Sequence, residues 1–317
     1  MAIVKNPLAL LQHAKDNGYA IGAYNVNNME ISQAIMAAHA AKKAPVVLQL
    51  SSGARKYAGT TMLVDIIHSL VKQYPEVPVI LHQDHGANLD VCKSAIDAGF
   101  NSVMIDASHE DFDENVRITK EVVEYAHARG VIVEAELGML GGVEEHVSVD
   151  EKDARLTDPE EAIEFVKQTG CDTLACAIGT SHGAYKFSSD GKVDVARVER
   201  LTEVLPETPL VMHGSSSVPQ EYVEICNQYG GDLGGARGVL EETITQAAQF
   251  GVSKVNIDTD LRLVMTAMVR KVLTENPKEF DPRKYLGAAR DEIQKMVEHK
   301  IDVLGSGNQI QADLKSV

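Results

Sequence analysis

The sequence has no tryptophan, and aromatic residues of all kinds make up only 5% of it. A core built on stacked rings is excluded. With hydrophobic content at 44%, Val, Ile, Leu, Ala and Met must fill the interior, as suits a βα protein. No apolar run approaches the roughly 20 residues of a membrane-spanning helix, so no membrane partner is expected. Basic residues are in deficit: 30 Lys and Arg stand against 46 Asp and Glu, a formal net charge of −16. That balance argues against nucleic acid as a partner, which needs a basic stripe. It also repels anionic substrates, so a site for one must supply local backbone amides, Arg or a metal. The four cysteines (Cys92, Cys171, Cys176, Cys226) form no CxxC pair and no secreted framework. No signal-peptide pattern opens the chain, because Lys5, His13, Lys15 and Asp16 interrupt it. A soluble, cytoplasmic protein with reduced thiols is expected.

What is present is an alternation. Short apolar runs at residues 20–26, 45–50, 78–85, 102–106, 131–136, 173–178, 209–213 and 254–258 read as strands. Between them, helical spacing and glycine stops mark helices, and Thr157-Asp158-Pro159-Glu160 is a helix start of cap, proline and acids. Eight such units without a break in composition predict an α/β fold, a (β/α)8 TIM barrel over residues 1–317 as a single domain. Additional closing helices are expected at 261–274 and 283–303, with a polar tail from about residue 305. A doubly wound open sheet is the competing architecture, and eight regular units favour closure. Residues 138–157 read as a long connection rich in Gly and acids, and the Gly-rich stretch 230–238 as a flexible surface link.

In a barrel the C-terminal ends of the strands converge on one face, where active sites lie. Here those ends carry Asn25, Ser51, Asp84 and His85, Asp106, Glu136, Ser181-His182-Gly183, His213-Gly214-Ser215-Ser216 and Asn256-Ile257-Asp258-Thr259. A lone His at a strand end is ordinarily a hydrogen-bonded structural residue. Three at the ends of the third, sixth and seventh strands are brought together by the fold. His85, His182 and His213 with an open fourth position would form a catalytic zinc site. His68, His127, His146 and His299 read as solvated, and His39 and His109 as structural or surface residues. Gly183 and Gly214-Ser215-Ser216 directly follow two of the metal candidates. Either alone is an ordinary tight turn; together, beside Asn256 and Thr259, their amides suit a phosphate. The loop Gly138-Met139-Leu140-Gly141-Gly142-Val143-Glu144-Glu145 is either a solvated acidic loop or a lid that brings a general base over a substrate. The residues alone leave both open.

The segments LHQDHG (81–86), SVMIDASH (102–109), VEAELGMLGGVEE (133–145), AIGTSHGAYK (177–186), VMHGSSS (211–217) and VNIDTDLR (255–262) resemble the class II, metal-dependent fructose-1,6-bisphosphate aldolases. The likeness spans almost the whole chain and is greatest to the subgroup shared with tagatose-bisphosphate aldolases. It implies a lyase of glycolysis and gluconeogenesis that reversibly cleaves fructose 1,6-bisphosphate to dihydroxyacetone phosphate and glyceraldehyde 3-phosphate, with Zn2+ stabilising the enediolate. It implies zinc on His85, His182 and His213, a second metal position at Asp106 and Glu136, and Asp84 as acid/base at the C4 oxygen. Glu144 resembles the mobile-loop base that exchanges the proton on dihydroxyacetone phosphate. Gly183, Gly214, Ser215, Ser216, Asn256, Ile257, Asp258 and Thr259 resemble the dihydroxyacetone phosphate site. Ser51 and Arg283 resemble contacts to the far phosphate, Arg283 coming from a second subunit. A homo-oligomer, dimer or tetramer, is therefore implied, as are small phosphorylated sugars as partners and a monovalent cation (Na+ or K+) near the phosphate turns.

The competing aldolase mechanism needs a Schiff-base lysine at the barrel mouth. Lys254 begins its strand, at the wrong end, and Lys186 lies beyond the sixth-strand turn. Asn256-Ile257-Asp258-Thr259-Asp260 is similar to the fructose-specific pattern; tagatose enzymes tend to carry Ala where Asp258 stands. Tagatose 1,6-bisphosphate remains the alternative substrate. A zinc-dependent hydrolase of a phosphorylated substrate and a non-catalytic sugar-phosphate sensor are the alternatives from other classes.

Overall fold

The computed structural model describes residues 3–144, 147–149, 154–181 and 193–310, and of residues 143, 144 and 147–149 only the backbone. Along the chain, α1 (Pro7–Asp16) precedes β1 (Ile21–Asn25), and α2 (Met29–Lys42) leads to β2 (Val46–Ser51). Next come α3 (Ser52–Ala58), α4 (Thr60–Gln73), β3 (Val79–Gly86), α5 (Leu89–Asp97), β4 (Ser102–Ile105), α6 (Phe112–His127) and β5 (Ile132–Leu137). A short hairpin, β6 (Gly142–Glu144) and β7 (Val147–Val149), is followed by α7 (Pro159–Thr169), β8 (Thr173–Cys176), α8 (Val195–Val204) and β9 (Leu210–Met212). The last elements are α9 (Gln220–Gln228), α10 (Glu241–Gln249), β10 (Val252–Ile257), α11 (Thr259–Glu275) and α12 (Pro282–Val303). All strands outside the hairpin pair in parallel and close into a barrel, with β10 returning to β1. The chain is a (β/α)8 TIM barrel with additional closing helices.

The barrel strands are buried along their full length because helices cover the outside and side chains fill the inside, so they read as continuous apolar runs. Alternation then sorts them. Ile21, Val47, Ile80 and Ile132 pack with Leu10, Leu11 and Ala14 of α1, which closes the lower end of the barrel. Above them the inward positions turn polar. Helix starts are set by short side chains: Asn28, Asn88, Asp111 and Asp158 each accept a backbone N–H of the following first turn.

Three segments differ from their sequence readings. The connection expected over 138–157 contains the β6–β7 hairpin, whose three-residue strands are too short to show a period. Helix α3 starts where the second strand ends: Ser51 Oγ accepts the Ala54 N–H at 3.2 Å, and Gly53 in the first turn masks the helix in the sequence. The Gly-rich stretch does more than link. A Cβ at Gly231 would stand 2.6 Å from the Cys226 carbonyl oxygen, and one at Gly238 2.2 Å from that of Ser216. Glycine is needed there because backbone meets backbone. Among the described residues no helix is long and apolar enough to cross a membrane. The polar tail expected from about 305 lies outside the described residues beyond 310.

Candidate active site

Above the apolar floor lies a layer made by residues two positions before the strand-end candidates. Lys254 Nζ donates to both oxygens of Glu134, at 2.8 and 3.1 Å, and both residues are fully buried. Glu134 Oε1 also accepts from His213 Nε2 at 2.8 Å. His82 stands beside this group, with Nδ1 2.7 Å from Ser102 Oγ and Nε2 3.8 Å from Glu134 Oε2. Burial pushes the Glu134 carboxyl up, but the Lys254 ammonium and the His213 bond outweigh it and hold the group well below the usual carboxylate range. Burial, with Lys254 nearby, keeps His82 neutral. Burial also lowers His213, against the pull of Glu134, so its ring is neutral and able to ligate.

The next layer up holds Asp84, His85, Asp106, Glu136 and His213, all buried. Adjacent residues of a regular strand point to opposite faces, yet both Asp84 and His85 reach the interior. An irregularity in β3 between Gln83 and Gly86, with His85 in the left-handed region at φ +42°, turns the second side chain inward. Gly86 allows this because a Cβ there would lie 2.4 Å from the Met104 carbonyl oxygen.

His85 Nδ1 lies 3.0 Å from Asp106 Oδ2, and the other oxygen of Asp106 accepts from Ser108 N and Oγ at 3.2 and 2.8 Å. Burial raises the Asp106 carboxyl, but these bonds prevail and it is held far below its ordinary value. With Asp106 accepting from Nδ1–H of His85 and Glu134 from Nε2–H of His213, the remaining nitrogens are both acceptors. They face each other at 3.0 Å. Two ligands about 2.0–2.1 Å from a tetrahedral metal stand about 3.3 Å apart, so this donor pair fits a zinc-like ion, each ring backed by its own carboxylate. The candidate ligand atoms of Asp84, His85 and His213 lie within 4.8 Å of one another, as do those of His85, Asp106 and Glu136. His85 therefore serves two possible metal positions.

Asp84 is clamped by amides. Asn25 Nδ2 donates to Oδ2 at 2.7 Å, Asn256 Nδ2 to Oδ1 at 3.2 Å, and Gln49 Nε2 holds Asn25 Oδ1 at 2.7 Å. Asn256 Nδ2 also reaches His213 Nδ1 at 3.2 Å, so one amide links the carboxylate to the ring. Beyond β9 the chain turns through Gly214 at φ +61°, where a Cβ would meet the Ser181 carbonyl oxygen at 2.6 Å. Ser215 and Ser216 follow, buried, and Ser215 Oγ donates to the carbonyls of Met212 and His213. Asn256 and Ile257 end β10, Asp258 precedes α11 and Thr259 opens it. Asp258 is gripped by Arg262, Nε to Oδ1 at 2.9 Å and Nη2 to Oδ2 at 2.5 Å. Ser51 pairs in register with Asp84 across β2 and β3.

His182 and Gly183 lie outside the described residues, as does the side chain of Glu144, whose backbone ends β6. Arg283 sits in the first turn of α12 with its side chain 88% exposed and bonded to Asp281, and among the described residues no hydrogen bond or ion pair joins it to the mouth. Sequence reasoning missed Glu134, His82 and Gln49, and the pairing of Lys254. Lys254 is indeed below the mouth, but as the cation that neutralises Glu134. The available signal was period 2: each lies two residues from a strand-end candidate and so shares its face.

Lys254→Met is expected to destabilise the fold by about 3–5 kcal/mol, because Glu134 keeps a buried charge without its cation. It should also weaken zinc affinity about 10–100-fold through the misplaced His213 ring. Adding Glu134→Gln should recover part of the stability. Thermal melts and zinc titration check this; an unchanged melting temperature would remove the pair from any structural role.

A family profile described as "Fructose-bisphosphate aldolase class-II" matches residues 5–309. Curated relatives bearing the name fructose-bisphosphate aldolase include that of Thermus caldophilus, 52% identical over 299 residues, covering 94% of this chain and 97% of that one. That of Helicobacter pylori is 45% identical over 311 residues, covering 97% and 100%. Among solved structures, the YdjI aldolase of Escherichia coli K12 aligns with a TM-score of 0.78 at 29% identity, over 96% of this chain and 99% of that one.

Proposed function

The chain belongs to the class II fructose-bisphosphate aldolases, a metal-dependent family of lyases, and we propose that it cleaves fructose 1,6-bisphosphate reversibly through the residues assembled at its barrel mouth. The products are dihydroxyacetone phosphate and glyceraldehyde 3-phosphate. The observation that carries this reading is the pair of facing acceptor nitrogens of His85 and His213 beside the clamped carboxylate of Asp84.

His85 and His213, with His182 as third ligand, would hold the metal, and Asp106 and Glu136 would complete its alternative position. A donor set rich in imidazole suits zinc. When bound, the ion supplies Lewis-acid polarisation of the substrate carbonyl. The chain's own groups do the rest. Asp84 takes the proton from the C4 hydroxyl as the C3–C4 bond breaks and returns it in condensation. Asn25 and Asn256 donate to its two oxygens and so fix the direction in which its remaining lone pairs point. Glu144 exchanges the proton on the three-carbon product. Gly183, Gly214, Ser215, Ser216, Ile257 and Thr259 form the cradle of the three-carbon phosphate, and a monovalent cation beside the turns balances its charge. Ser51 and a partner's Arg283 hold the far phosphate; the exposure of Arg283 supports reach beyond its own subunit and hence a homo-oligomer. Four buried thiols support a reducing, cytoplasmic location.

Fructose and tagatose bisphosphates differ only at C4. Both Asp258 oxygens are fixed by Arg262, which makes the carboxylate a rigid acceptor able to discriminate one epimer. Measured side by side, the zinc-loaded protein is expected to cleave the fructose compound about 10-fold or more faster, and Asp258→Ala to shrink that ratio. A preference for tagatose bisphosphate would keep the mechanism and sink the role of Asp258. Cleavage of neither would sink the aldolase reading.

A further inference from the structure

The turn after β9 is held from behind by a buried ion network whose cation comes from the last helix. Asp260, in the first turn of α11 and wholly buried, accepts the backbone N–H of Ser217 at 3.1 Å and that of Val218 at 2.8 Å. Val218 adopts φ +50°, a left-handed conformation that a β-branched residue enters only under constraint. Asp260 supplies that constraint. Its charge is met by Lys300, 2% exposed on α12, whose Nζ lies 3.0 Å from Asp260 Oδ2. The same ammonium donates to Ser217 Oγ and, at 2.6 Å, to Glu241 Oε1 at the start of α10. Behind the turn, Val239 N–H donates to the Ser216 carbonyl at 3.2 Å, the close approach that Gly238 permits.

We propose that Lys300 is a positioning residue for the phosphate turn. From a helix outside the eight repeated units, it fixes Asp260 and Ser217 so that residues 214–218 keep the backbone shape that receives the three-carbon phosphate. The inference rests on the reading of that turn as a phosphate cradle. Asp260 follows Asp258 and Thr259 directly, so one carboxylate ties the ends of β9 and β10, the two halves of the cradle, to each other. Without the Lys300 ammonium, Asp260 would be a wholly buried carboxylate that has lost this cation, while the partly exposed Glu241 would keep His299 Nε2 at 2.7 Å. Asp260 would turn away, the amides of 217 and 218 would lose their acceptor, and Val218 would relax. No atom of Lys300 needs to touch the substrate for this to act.

The test compares Lys300→Met, Lys300→Arg, Ser217→Ala and Gly214→Ala in the zinc-loaded enzyme. Zinc content, melting temperature, kcat and KM for fructose 1,6-bisphosphate, and affinity for dihydroxyacetone phosphate are measured. Lys300→Met is expected to raise KM and the dihydroxyacetone phosphate Kd about 10-fold, with kcat changed less than about 3-fold and zinc content unchanged. Lys300→Arg should recover part of the loss because the charge returns. A well-folded Lys300→Met enzyme with unchanged KM overturns the inference, and if Gly214→Ala still raises KM the cradle reading stands. If Gly214→Ala also leaves KM unchanged, the cradle reading falls and the inference with it. Should Lys300→Met fail to fold, Ser217→Ala decides, since it removes one link and keeps every charge. A rise in KM of about 3-fold at unchanged kcat supports the proposal, and no rise overturns it.

Discussion

Asp84→Ala is expected to lower kcat for cleavage about 10²–10⁴-fold while zinc content stays at the wild-type level. The carboxylate is the mouth's only acid/base group held by two side-chain amides among the described residues, through Asn25 and Asn256. Removing it takes away the acceptor for the C4 proton but leaves the facing nitrogens of His85 and His213 3.0 Å apart, each still backed by Asp106 or Glu134. The nearest approach of Asp84 to a ring nitrogen of His85 is 4.0 Å, too long for a hydrogen bond. Zinc analysis and steady-state kinetics on the same preparation separate the outcomes. Loss of metal would make Asp84 a ligand, and undiminished turnover would remove it as the acid/base.

Chelation is expected to abolish turnover, zinc readdition to restore it, and the melting temperature to fall in step with activity. Two imidazole nitrogens that face each other at 3.0 Å as acceptors are favourable only with a cation between them. An ion bound at about 1,000 times its dissociation constant contributes about 4 kcal/mol to the folded state. The apolar core lies in the barrel wall and floor, apart from these ligands, so the metal-free protein should still melt cooperatively. Turnover that persists after metal removal has been verified by elemental analysis would overturn the zinc reading. A melting temperature indifferent to zinc would place the ion elsewhere.

The barrel was legible because parallel strands covered on both faces leave unbroken apolar runs, and the eight runs needed no knowledge of partners. The candidate site was legible where polar residues interrupt those runs at their ends, as at His213 or Asp106. It was not legible one layer down. Glu134 and Lys254 stand 120 residues apart and form one ion pair, a relation that requires the closed barrel. His85 points inward only through a backbone irregularity that the string LHQDHG does not announce. The strain at Val218 and its support by Lys300 join three segments far apart in the chain, and on its helix Lys300 looks like any surface lysine. α3 was hidden by a glycine, and the hairpin by its brevity.

The seal that α1 forms under the barrel closes its lower end. Leu10, Leu11 and Ala14 stopper the lower end against Ile21, Val47, Ile80 and Ile132. On the proposed reading, sugar and products would exchange at the upper rim. On that reading, a bisphosphate seated at the rim would itself stand in the way of exchange. The stopper also insulates. The apolar floor below Glu134 and Lys254 screens their field less than water would, which strengthens its action on the His213 ring that Glu134 bonds.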